Sequence, residues 1–471
     1  MTILPLDPEA NRTPEALRDF LLQCRSRAAA QSRPQLVSIS LAVEALDPLA
    51  VLESIFESSE RHFYFERPAD GIAVAGAEAV LGFKAEGPGR FAACQDFIER
   101  TLADTIAVGD LTRPFSGPHF FTAFSFQNET ESGEPFPAAS LFVPRWQVAL
   151  RDGRTEAVAN LVVSADTPVE AAFEKLWRAH AKFSAFSYVP PAPERMSPVS
   201  ATEVGPENSY REAVGRALAR IRTGSFEKIV LARAKDLKAT EAFHPLRVLN
   251  GLRQRFPDCY SFSVANGLGQ SFIGASPERL LRVRDGRILT EALAGSIRRG
   301  ATASEDAAIA AAFQRDDKEI REQRLVLDGI VRLLEGLGLS PEYPARPGLK
   351  RLTNVQHLHT PVEAVLPPKV RLLDVLAKLH PTPAVGGSPR EAAIPAIRAL
   401  EACPRGLYAG SLGWIDARGS GEFFVGLRSA LIDGDRARLY AGAGIVEGSS
   451  PDKEWAETEL KFRAIQEALL S

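Results

Sequence analysis

A lysine in a predicted strand is the first residue whose position could carry chemistry. Residues 226–234 read FEKIVLARA, and in an extended strand Lys228 shares one face with Val230 and Ala232. A lysine on such a small, apolar face either extends its amine to the sheet edge or is buried with a lowered pKa. In the second case the neutral amine can act as a general base near neutral pH.

A glutamate after a serine-proline pair is the second such residue. Glu278 lies in IGASPERLLRV, residues 273–283, where Pro277 breaks or bends a strand. If that bend directs the carboxyl group into a cleft, burial raises its pKa and lets it act as a general acid. Taken alone, the pattern favours a solvated turn residue.

Two predicted helices carry closely spaced glutamates that lead into small or apolar residues. Glu319 and Glu322 are one turn apart, and Glu454, Glu457 and Lys461 share one side of the C-terminal helix. Mg²⁺ typically takes one or two protein carboxylates and completes its coordination with water and substrate oxygens. The two helices could therefore supply ligands to one Mg²⁺ ion, although exposed ion-pair networks are commoner on any single helix.

A glycine-rich segment near the C-terminus has the wrong spacing for a dinucleotide-binding loop. In AGAGIVEG, residues 441–448, Gly442, Gly444 and Gly448 are spaced G-x-G-x-x-x-G rather than G-x-G-x-x-G. We interpret the segment as a loop after a strand over 436–440, with backbone N–H groups that approach a ligand carboxylate.

Hydrophobic periodicity predicts the elements that must position these residues. We expect helices over 13–30, 168–183, 304–335 and 451–470, strands over 35–43, 63–66, 120–126 and 157–164, and a hairpin of 407–415 with 421–431. Strands mostly follow strands, which predicts an α+β fold in which large, mostly antiparallel sheets form a core flanked by helices. The predicted parts are an N-terminal α/β scaffold half (1–190), a proline-rich crossing segment (191–204) and a catalytic core (205–471).

Composition argues against several classes of protein. The 471 residues are 45% hydrophobic and 24% charged, with a formal net charge of −3, so the chain lacks the basic field that favours nucleic acid or anionic membranes. Four cysteines without paired spacing argue against a disulfide framework, and no apolar run approaches the ~20 residues of a membrane span. The N-terminus has no secretory signal pattern. We expect a cytoplasmic protein with no nucleic-acid or membrane partner.

Several blocks, taken jointly and in order, carry a family resemblance. Over about residues 205–471 they read EKIVLAR, GASPERLL, TEALAGSIRRG, DKEIREQRLVLDGI, NVQHL, HPTPAVGGSPREAA, RGLYAGSLGW, FFVGLRSALI and AGAGIVEGSSPDKEWAETELK. The chain thereby resembles the chorismate-utilising enzymes, which include isochorismate, salicylate, anthranilate and aminodeoxychorismate synthases. The first half is similar, more loosely, to the longer isochorismate synthases, through RHFYFERPADGIAVAG and FFTAFSF.

The resemblance implies roles for the catalytic and metal-binding positions. Lys228 corresponds to a water-activating lysine and Glu278 to a general acid. Glu322 and Glu457 correspond to magnesium ligands, with Glu454 at the same metal site. A departure is Gln323, because many relatives have histidine after the metal-ligating glutamate; we expect altered surroundings of the ligand without loss of metal.

The resemblance also implies substrate-binding positions. Tyr408 and Arg428 match residues that hold the enolpyruvyl carboxylate, and His357 matches a histidine beside the ring. Backbone contacts to substrate carboxylates and the remaining lining positions are expected at Gly295, Ser296, Ala384, Gly442, Gly444 and Lys461.

Two of these positions indicate a branch of the family. Lys228 fits attack by water, whereas the anthranilate branch commonly has glutamine there, and Ala384 stands where pyruvate-eliminating branches usually have threonine. The resemblance therefore implies Mg²⁺-dependent conversion of chorismate to isochorismate by a monomer without a glutaminase subunit. The alternatives are a salicylate synthase, which would go on to eliminate pyruvate, and a non-catalytic chorismate-binding protein. Whether the product feeds menaquinone, siderophore or salicylate synthesis stays open.

Overall fold

The computed structural model describes residues 1–4, 13–184, 186–189, 197–353 and 355–470. Its α-helices are α1 (Pro14–Gln31), α2 (Pro48–Ser54), α3 (Arg90–Ala103), α4 (Val169–Ser184), α5 (Ser209–Arg222), α6 (Pro245–Arg255), α7 (Ala303–Phe313), α8 (Asp317–Glu335), α9 (Leu372–Leu379), α10 (Arg390–Leu400) and α11 (Pro451–Leu469). Its strands are β1 (Thr2–Leu4), β2 (Gln35–Val43), β3 (His62–Arg67), β4 (Ile72–Ala85), β5 (Ile106–Val108), β6 (His119–Phe124), β7 (Ala139–Arg151), β8 (Arg154–Val163), β9 (Pro198–Glu203), β10 (Lys228–Ala239), β11 (Tyr260–Ala265), β12 (Gln270–Ser276), β13 (Arg279–Arg284), β14 (Arg287–Arg298), β15 (Gly348–Arg351), β16 (Val355–Val365), β17 (Gly387–Ser388), β18 (Ser411–Asp416), β19 (Gly421–Val425), β20 (Ser429–Asp433) and β21 (Arg436–Val446).

Hydrogen bonding joins these strands into one extended sheet system. Within the described residues, the strands pair antiparallel except where β5 lies parallel to β1 and β2. Strands of the first half pair directly with strands of the second, β3 with β11 and β6 with β18. The α+β prediction of large, mostly antiparallel sheets flanked by helices is therefore confirmed.

Aromatic side chains from both halves of the chain share the main core. Phe63 stacks on Phe121 with 4.7 Å between ring centroids, and Phe65 stacks on Phe424 of β19 at 5.8 Å. A smaller apolar cluster around α1, β2 and α4 belongs to the first half alone. The first half thus shares both the sheet and the main core with the second half.

The proline-rich crossing segment is only partly within the described residues. Residues 190–196 lie outside them, and Pro198–Glu203 forms β9, which pairs antiparallel with β10. The end of the segment is therefore an edge of the sheet that carries Lys228. Among the helices of the described ranges, none has both the length and the apolar character that crossing a membrane would require.

The predicted helix over 304–335 is wrong as a single helix. It is divided into α7 and α8 because the Asp316 carboxylate accepts hydrogen bonds from the N–H groups of Lys318 and Glu319, at 2.9 and 3.1 Å. Such an N-cap starts a new helix. As a result, Glu319 and Glu322 lie in the first two turns of α8, where they can reach a neighbouring helix end.

The glycine-rich segment is a strand rather than the predicted loop. β21 continues to Val446 because its pairing with β10 continues, with Gly442 opposite Ala232 and Gly444 opposite Val230. The predicted hairpin is confirmed at its turn, but its strands are shorter: β18 pairs with β19 from Ser411 opposite Val425. Residues 421–431 belong to two strands, β19 and β20, which are separated by residues 426–428; within this break Arg428 has a φ of 49°.

Candidate active site

The residues predicted to carry chemistry line one cavity of about 290 Å³. Its lining includes Lys228, Glu278, Gly295, Ser296, Glu322, His357, Ala384, Tyr408, Arg428, Gly442, Gly444, Glu454, Glu457 and Lys461, together with Glu319. These residues are spread over more than two hundred positions of the sequence, so only the folded chain brings them together.

Lys228 begins β10, and its side chain is 2% exposed. Of the two alternatives left by the sequence, burial is therefore the one found. Its Nζ donates a hydrogen bond to Glu322 Oε1 at 2.8 Å. A Cβ at position 444 would lie 2.9 Å from Glu322 Oε1 and 3.2 Å from Lys228 Cε, so glycine at 444 makes room for this pair.

Glu278 lies at the junction between β12 and β13, where only 5% of the residue is exposed. Its backbone N–H donates to Ser276 Oγ at 3.3 Å, and its carbonyl accepts from Val425 N at 3.1 Å. Burial raises the pKa of the carboxyl to about 8, and the negative charge of Glu291 acts in the same direction. The carboxyl is thus protonated at neutral pH, which is the state a general acid needs.

The start of α8 and the start of α11 face each other with four carboxyl groups. Burial, together with the charge of Glu322, raises the pKa of Glu319 to about 7. Burial and the charge of Glu457 likewise raise the pKa of Glu454. Burial also acts to raise the pKa of Glu457, but Lys461, 2.6 Å away, outweighs it and lowers that pKa.

This set of carboxyl groups fits a hard divalent cation. Oxygen donors from two helices share one cavity. Glu319 is repelled by Glu322 and Glu454 by Glu457, and a bound cation would relieve this repulsion. Within the described ranges, no three acidic, histidine or cysteine side chains already converge as a complete metal site. That is compatible with Mg²⁺, which usually keeps several water or substrate ligands.

His357 lines the cavity, and hydrogen-bond contacts at Nδ1 fix the orientation of its ring. Its Nδ1 lies 2.9 Å from the Gly295 carbonyl oxygen and 3.0 Å from Ser296 Oγ. A carbonyl oxygen only accepts, so we assign the proton to Nδ1 and the lone pair to Nε2. Nε2 has no hydrogen-bond partner in the described part of the chain. Burial, aided by the charge of Arg428, lowers the pKa of His357 to about 3 and keeps the ring neutral.

An irregularity in β14 directs Gly295 and Ser296 toward the cavity. The register of β14 with β16 shifts between Ala294 and Ile297, as at a β-bulge. Gly295 has φ 69°, and a Cβ there would lie 2.5 Å from Glu319 Oε2. Glycine is therefore required at 295 both for its backbone conformation and for the space that Glu319 occupies.

Tyr408 and Arg428 occupy another part of the cavity lining. Tyr408 is buried and stacks on Tyr440 at 5.3 Å, and burial raises the pKa of its hydroxyl, which stays a neutral donor. Glycine at 442 leaves room for this hydroxyl, because a Cβ there would lie 2.9 Å from Tyr408 Oη. Arg428 has no ion-pair partner among the residues described, so its guanidinium is available to an anionic ligand.

Gln323 and Ala384 differ in whether they line the cavity. Gln323 is buried outside the cavity lining, and its Nε2 donates to Thr360 Oγ1 at 2.8 Å. Its amide thus anchors α8 to β16 next to Glu322, which agrees with a change confined to the surroundings of that glutamate. Ala384 does line the cavity, where a small side chain leaves space.

Sequence reasoning missed several lining residues, among them Lys318, Lys453 and Arg405. The two lysines had a signal: α8 begins with DKEIRE and α11 contains DKEWAE, so the same D-K-E-x-x-E pattern stands at both helix starts. Arg405 had none. Its buried guanidinium is held by Glu401 and by the carbonyl oxygens of Val230 and Val385, and it serves mainly to fix β10.

Comparison with known proteins agrees with this geometry. The sequence pattern of the family described as "Chorismate binding enzyme" matches residues 19–470. The chain is 37% identical to the salicylate biosynthesis isochorismate synthase of Pseudomonas aeruginosa, over 96% of this chain and 94% of that protein. It is 32% identical to the isochorismate synthase MenF of Bacillus subtilis, over 96% and 97%. The fold is similar to that of the menaquinone-specific isochorismate synthase MenF of Escherichia coli, with a TM-score of 0.80, 27% identity and coverage of 97% and 99%. The chain belongs to the chorismate binding enzyme family.

Proposed function

We propose that this enzyme converts chorismate to isochorismate. The observation that carries the proposal is that a buried amine, Lys228, and a buried carboxyl with a raised pKa, Glu278, line the same cavity. The reaction moves a hydroxyl group from one ring carbon to another. It therefore needs a base for the entering water and an acid for the leaving hydroxyl.

The two residues act on opposite ends of the rearranging diene. Lys228 takes a proton from a water molecule while the water oxygen forms a bond to ring carbon C2. The ring double bonds shift, the bond between C4 and its hydroxyl breaks, and Glu278 donates the proton with which that hydroxyl leaves as water. One water enters and one leaves, so substrate and product are isomers. Proton exchange with solvent then restores Lys228 and Glu278.

Glu322 and Glu457, with Glu454 beside them, would hold Mg²⁺ at the helix starts. The bound ion would act as a Lewis acid and as a template for the ring carboxylate. Glu322 would then have a second positive partner besides Lys228, whose amine is placed to act as the base.

Three residues would orient the rest of the substrate. Arg428 offers a guanidinium to the enolpyruvyl carboxylate, in bidentate form where the approach allows it, and Tyr408 offers its neutral hydroxyl. His357 lines the same cavity and would lie beside the substrate ring. The names of the relatives support the same activity, since the two described above, from Pseudomonas aeruginosa and Bacillus subtilis, are called isochorismate synthases.

The test is identification of the product. Purified protein is incubated with chorismate and Mg²⁺, and the products are separated by chromatography, with a chelator and the Glu278→Gln variant as controls. We expect isochorismate, no pyruvate, no product with the chelator, and at least about 100-fold less product with Glu278→Gln. Salicylate and pyruvate as main products would replace the proposal with a salicylate synthase. Chorismate binding without turnover would replace it with a non-catalytic binding protein.

We further propose that the protein is a monomer, that it has no glutaminase partner, and that it is located in the cytoplasm. Light scattering tests the first, and the second predicts that ammonia and glutamine leave the products unchanged. The names of the relatives connect isochorismate synthases with both salicylate and menaquinone synthesis. Which pathway this chain serves is tested by deleting its gene and measuring both products.

A further inference from the structure

We propose that Glu291 and Lys350 are positioning residues that fix Glu278 in the cavity, and that the charge of Glu291 favours the protonated form of its carboxyl. The proposal rests on the function of Glu278 as the general acid. Neither residue lines the cavity, so neither can act on the substrate directly. Their effect must pass through Glu278.

The first observation is that Glu291 and Lys350 hold the chain on both sides of Glu278. The backbone N–H of Arg279, the next residue, donates to Glu291 Oε1 at 2.8 Å. Lys350 Nζ donates to the carbonyl oxygen of Pro277, the preceding residue, at 2.6 Å. Lys350 Nζ also donates to Glu291 Oε1 at 2.7 Å and closes the clamp. The backbone at Glu278 is thereby fixed before and after its side chain.

The second observation is that the clamp itself is anchored in the sheet. Glu291 lies on β14 opposite Pro361 of β16, and Lys350 lies on β15 opposite His357. His359 Nε2 lies 2.8 Å from the other oxygen of Glu291, so both carboxylate oxygens have partners. Only 5% of Glu291 is exposed. A buried, fully hydrogen-bonded carboxylate on a central strand has little freedom to move.

The third observation is that negative charge is divided unequally between two neighbouring buried carboxyl groups. Burial acts to raise the pKa of Glu291, but Lys350, His359 and Arg279 outweigh it and hold that pKa far below its ordinary value. Glu291 is therefore ionised throughout the working range of pH. Glu278 has no side-chain hydrogen bond within the described ranges and faces this fixed charge. Two such groups release their protons at widely different pH values, and the group with fewer hydrogen-bond and charge partners keeps its proton to the higher pH.

Four charged or titratable groups face Glu278 from the packed elements. Glu291 on β14 favours its protonated state, and Lys350 on β15 and Lys228 on β10 favour its ionised state. Tyr408 is neutral and adds no charge. Removing the Glu291 charge while Lys350 and Lys228 remain therefore leaves only groups that favour ionisation. Glu278 would then release its proton at a lower pH.

The experiment measures the ionisation of Glu278 directly and separately from turnover. Infrared spectra of protein with isotopically labelled glutamate are recorded against pH, and the spectra of Glu278→Gln are subtracted to isolate the Glu278 carboxyl. In the unaltered enzyme we expect a transition near the value of about 8. In Glu291→Gln, which keeps an acceptor for Arg279 and Lys350 without the charge, we expect it about one pH unit lower or more. The basic limb of kcat/KM should move with it.

Two further variants separate charge from geometry. Glu291→Asp keeps the charge but shortens the side chain, so we expect a lower kcat with the basic limb unmoved. Lys350→Met removes a positive charge, so we expect the Glu278 transition to move to higher pH. Glu363→Gln, an exposed glutamate on β16, is the matched control and should change neither transition nor rate.

The outcomes are distinct. A folded Glu291→Gln enzyme with an unmoved Glu278 transition would overturn the proposal, as would a uniform loss of activity at every pH. If Glu291→Gln does not fold, Lys350→Met decides: an upward shift shows that the charges of the clamp act on Glu278 and supports the proposal, and no shift overturns it. If the unaltered enzyme makes no isochorismate, the proposed function fails, yet the infrared titration still tests the coupling of Glu278 to Glu291.

Discussion

Two walls of the cavity bury carboxyl groups and treat their charge in different ways. On the sheet wall, Glu278 lines the cavity and Glu291 lies outside the lining, and each negative charge there has its own partners. Glu291 is paired with Lys350 and His359, and Glu278 is left protonated. The wall is thereby complete as it stands: one carboxylate, one carboxylic acid and no missing cation.

The helix wall is formed by Glu319, Glu322, Glu454 and Glu457. These carboxyl groups have too few positively charged partners. Lys228 is 2.8 Å from Glu322 and Lys461 is 2.6 Å from Glu457, but no ion pair of the described residues reaches Glu454. The pKa values of Glu319 and Glu454 are raised as a result. The same physical effect, burial of a carboxyl group, thus prepares a proton donor on one wall and a cation site on the other. The difference lies in how many positive groups stand nearby.

The largest expected effect comes from the sheet wall, in Glu278→Gln. Loss of a general acid should lower kcat by about 10²–10⁴-fold. The fold should survive and gain stability at pH 8. In the folded enzyme Glu278 keeps its proton up to about pH 8, whereas the unfolded chain releases it near 4.5. The free energy of unfolding of the unaltered enzyme therefore falls with rising pH, by about 1.4 kcal/mol per pH unit in this window. Glutamine lacks this penalty.

Lys228→Ala is the corresponding change at the helix wall. It should lower stability, whereas Glu278→Gln should raise it. It should lose activity to a similar extent, about 10²–10⁴-fold, but it leaves Glu322 buried without its partner. Removing one member of a buried ion pair typically costs about 3–5 kcal/mol. Denaturant unfolding of both variants without Mg²⁺ checks the contrast. Equal stability changes in the two variants would mean that the walls do not differ as described.

The next effect concerns the cation that the helix wall lacks. Glu457→Gln should weaken Mg²⁺ binding by about 10- to 100-fold, as loss of groups that hold or orient a metal typically does. The variant should therefore need a higher Mg²⁺ concentration for activity. The measurement is a titration of activity with Mg²⁺, together with calorimetry of Mg²⁺ binding in the absence of substrate. Glu467→Gln, an exposed glutamate of the same helix, is the control. An unchanged metal titration would remove Glu457 from the site.

A smaller effect is expected in the pH dependence of metal binding. Glu319, with a pKa of about 7, is protonated below that value and ionised above it. Binding of a cation beside it should displace this proton, so Mg²⁺ affinity should rise with pH across 7 by at most about tenfold per pH unit. In Glu319→Gln this slope should become shallower. A slope that is identical in both proteins would show that Glu319 does not sense the ion.

The difference between the sheet wall and the helix wall also explains which parts of the site could be predicted from the sequence. Alternation in FEKIVLARA placed Lys228 on an apolar face, and helical spacing paired Glu319 with Glu322 and Glu454 with Glu457. Both signals are local, because they depend only on the period of one element. The helix wall is therefore almost entirely visible in the sequence.

The sheet wall is not visible in the local sequence, because its groups are brought together by the register of paired strands. Glu291 lies in TEALAG and Lys350 in GLKRL, and nothing local relates either residue to Glu278. Their contacts depend on the pairing of β14 and β15 with β16, which joins distant segments. The same cause made the loop prediction for 441–448 wrong: pairing of β21 with β10 extends the strand through Gly442 and Gly444.

The smallest effect concerns Lys453, an exposed residue at the cavity mouth that local spacing could have revealed. Chorismate carries two carboxylates, and an exposed lysine attracts it mainly through a field that salt screens over about 10 Å at 0.1 M. Lys453→Ala should therefore lower kcat/KM by about two- to threefold at low ionic strength, with kcat unchanged. At high ionic strength the difference should disappear. Lys369→Ala, exposed but outside the cavity lining, should match the unaltered enzyme throughout. A loss that persists at high salt would mean that Lys453 contacts the substrate and belongs to the helix wall itself.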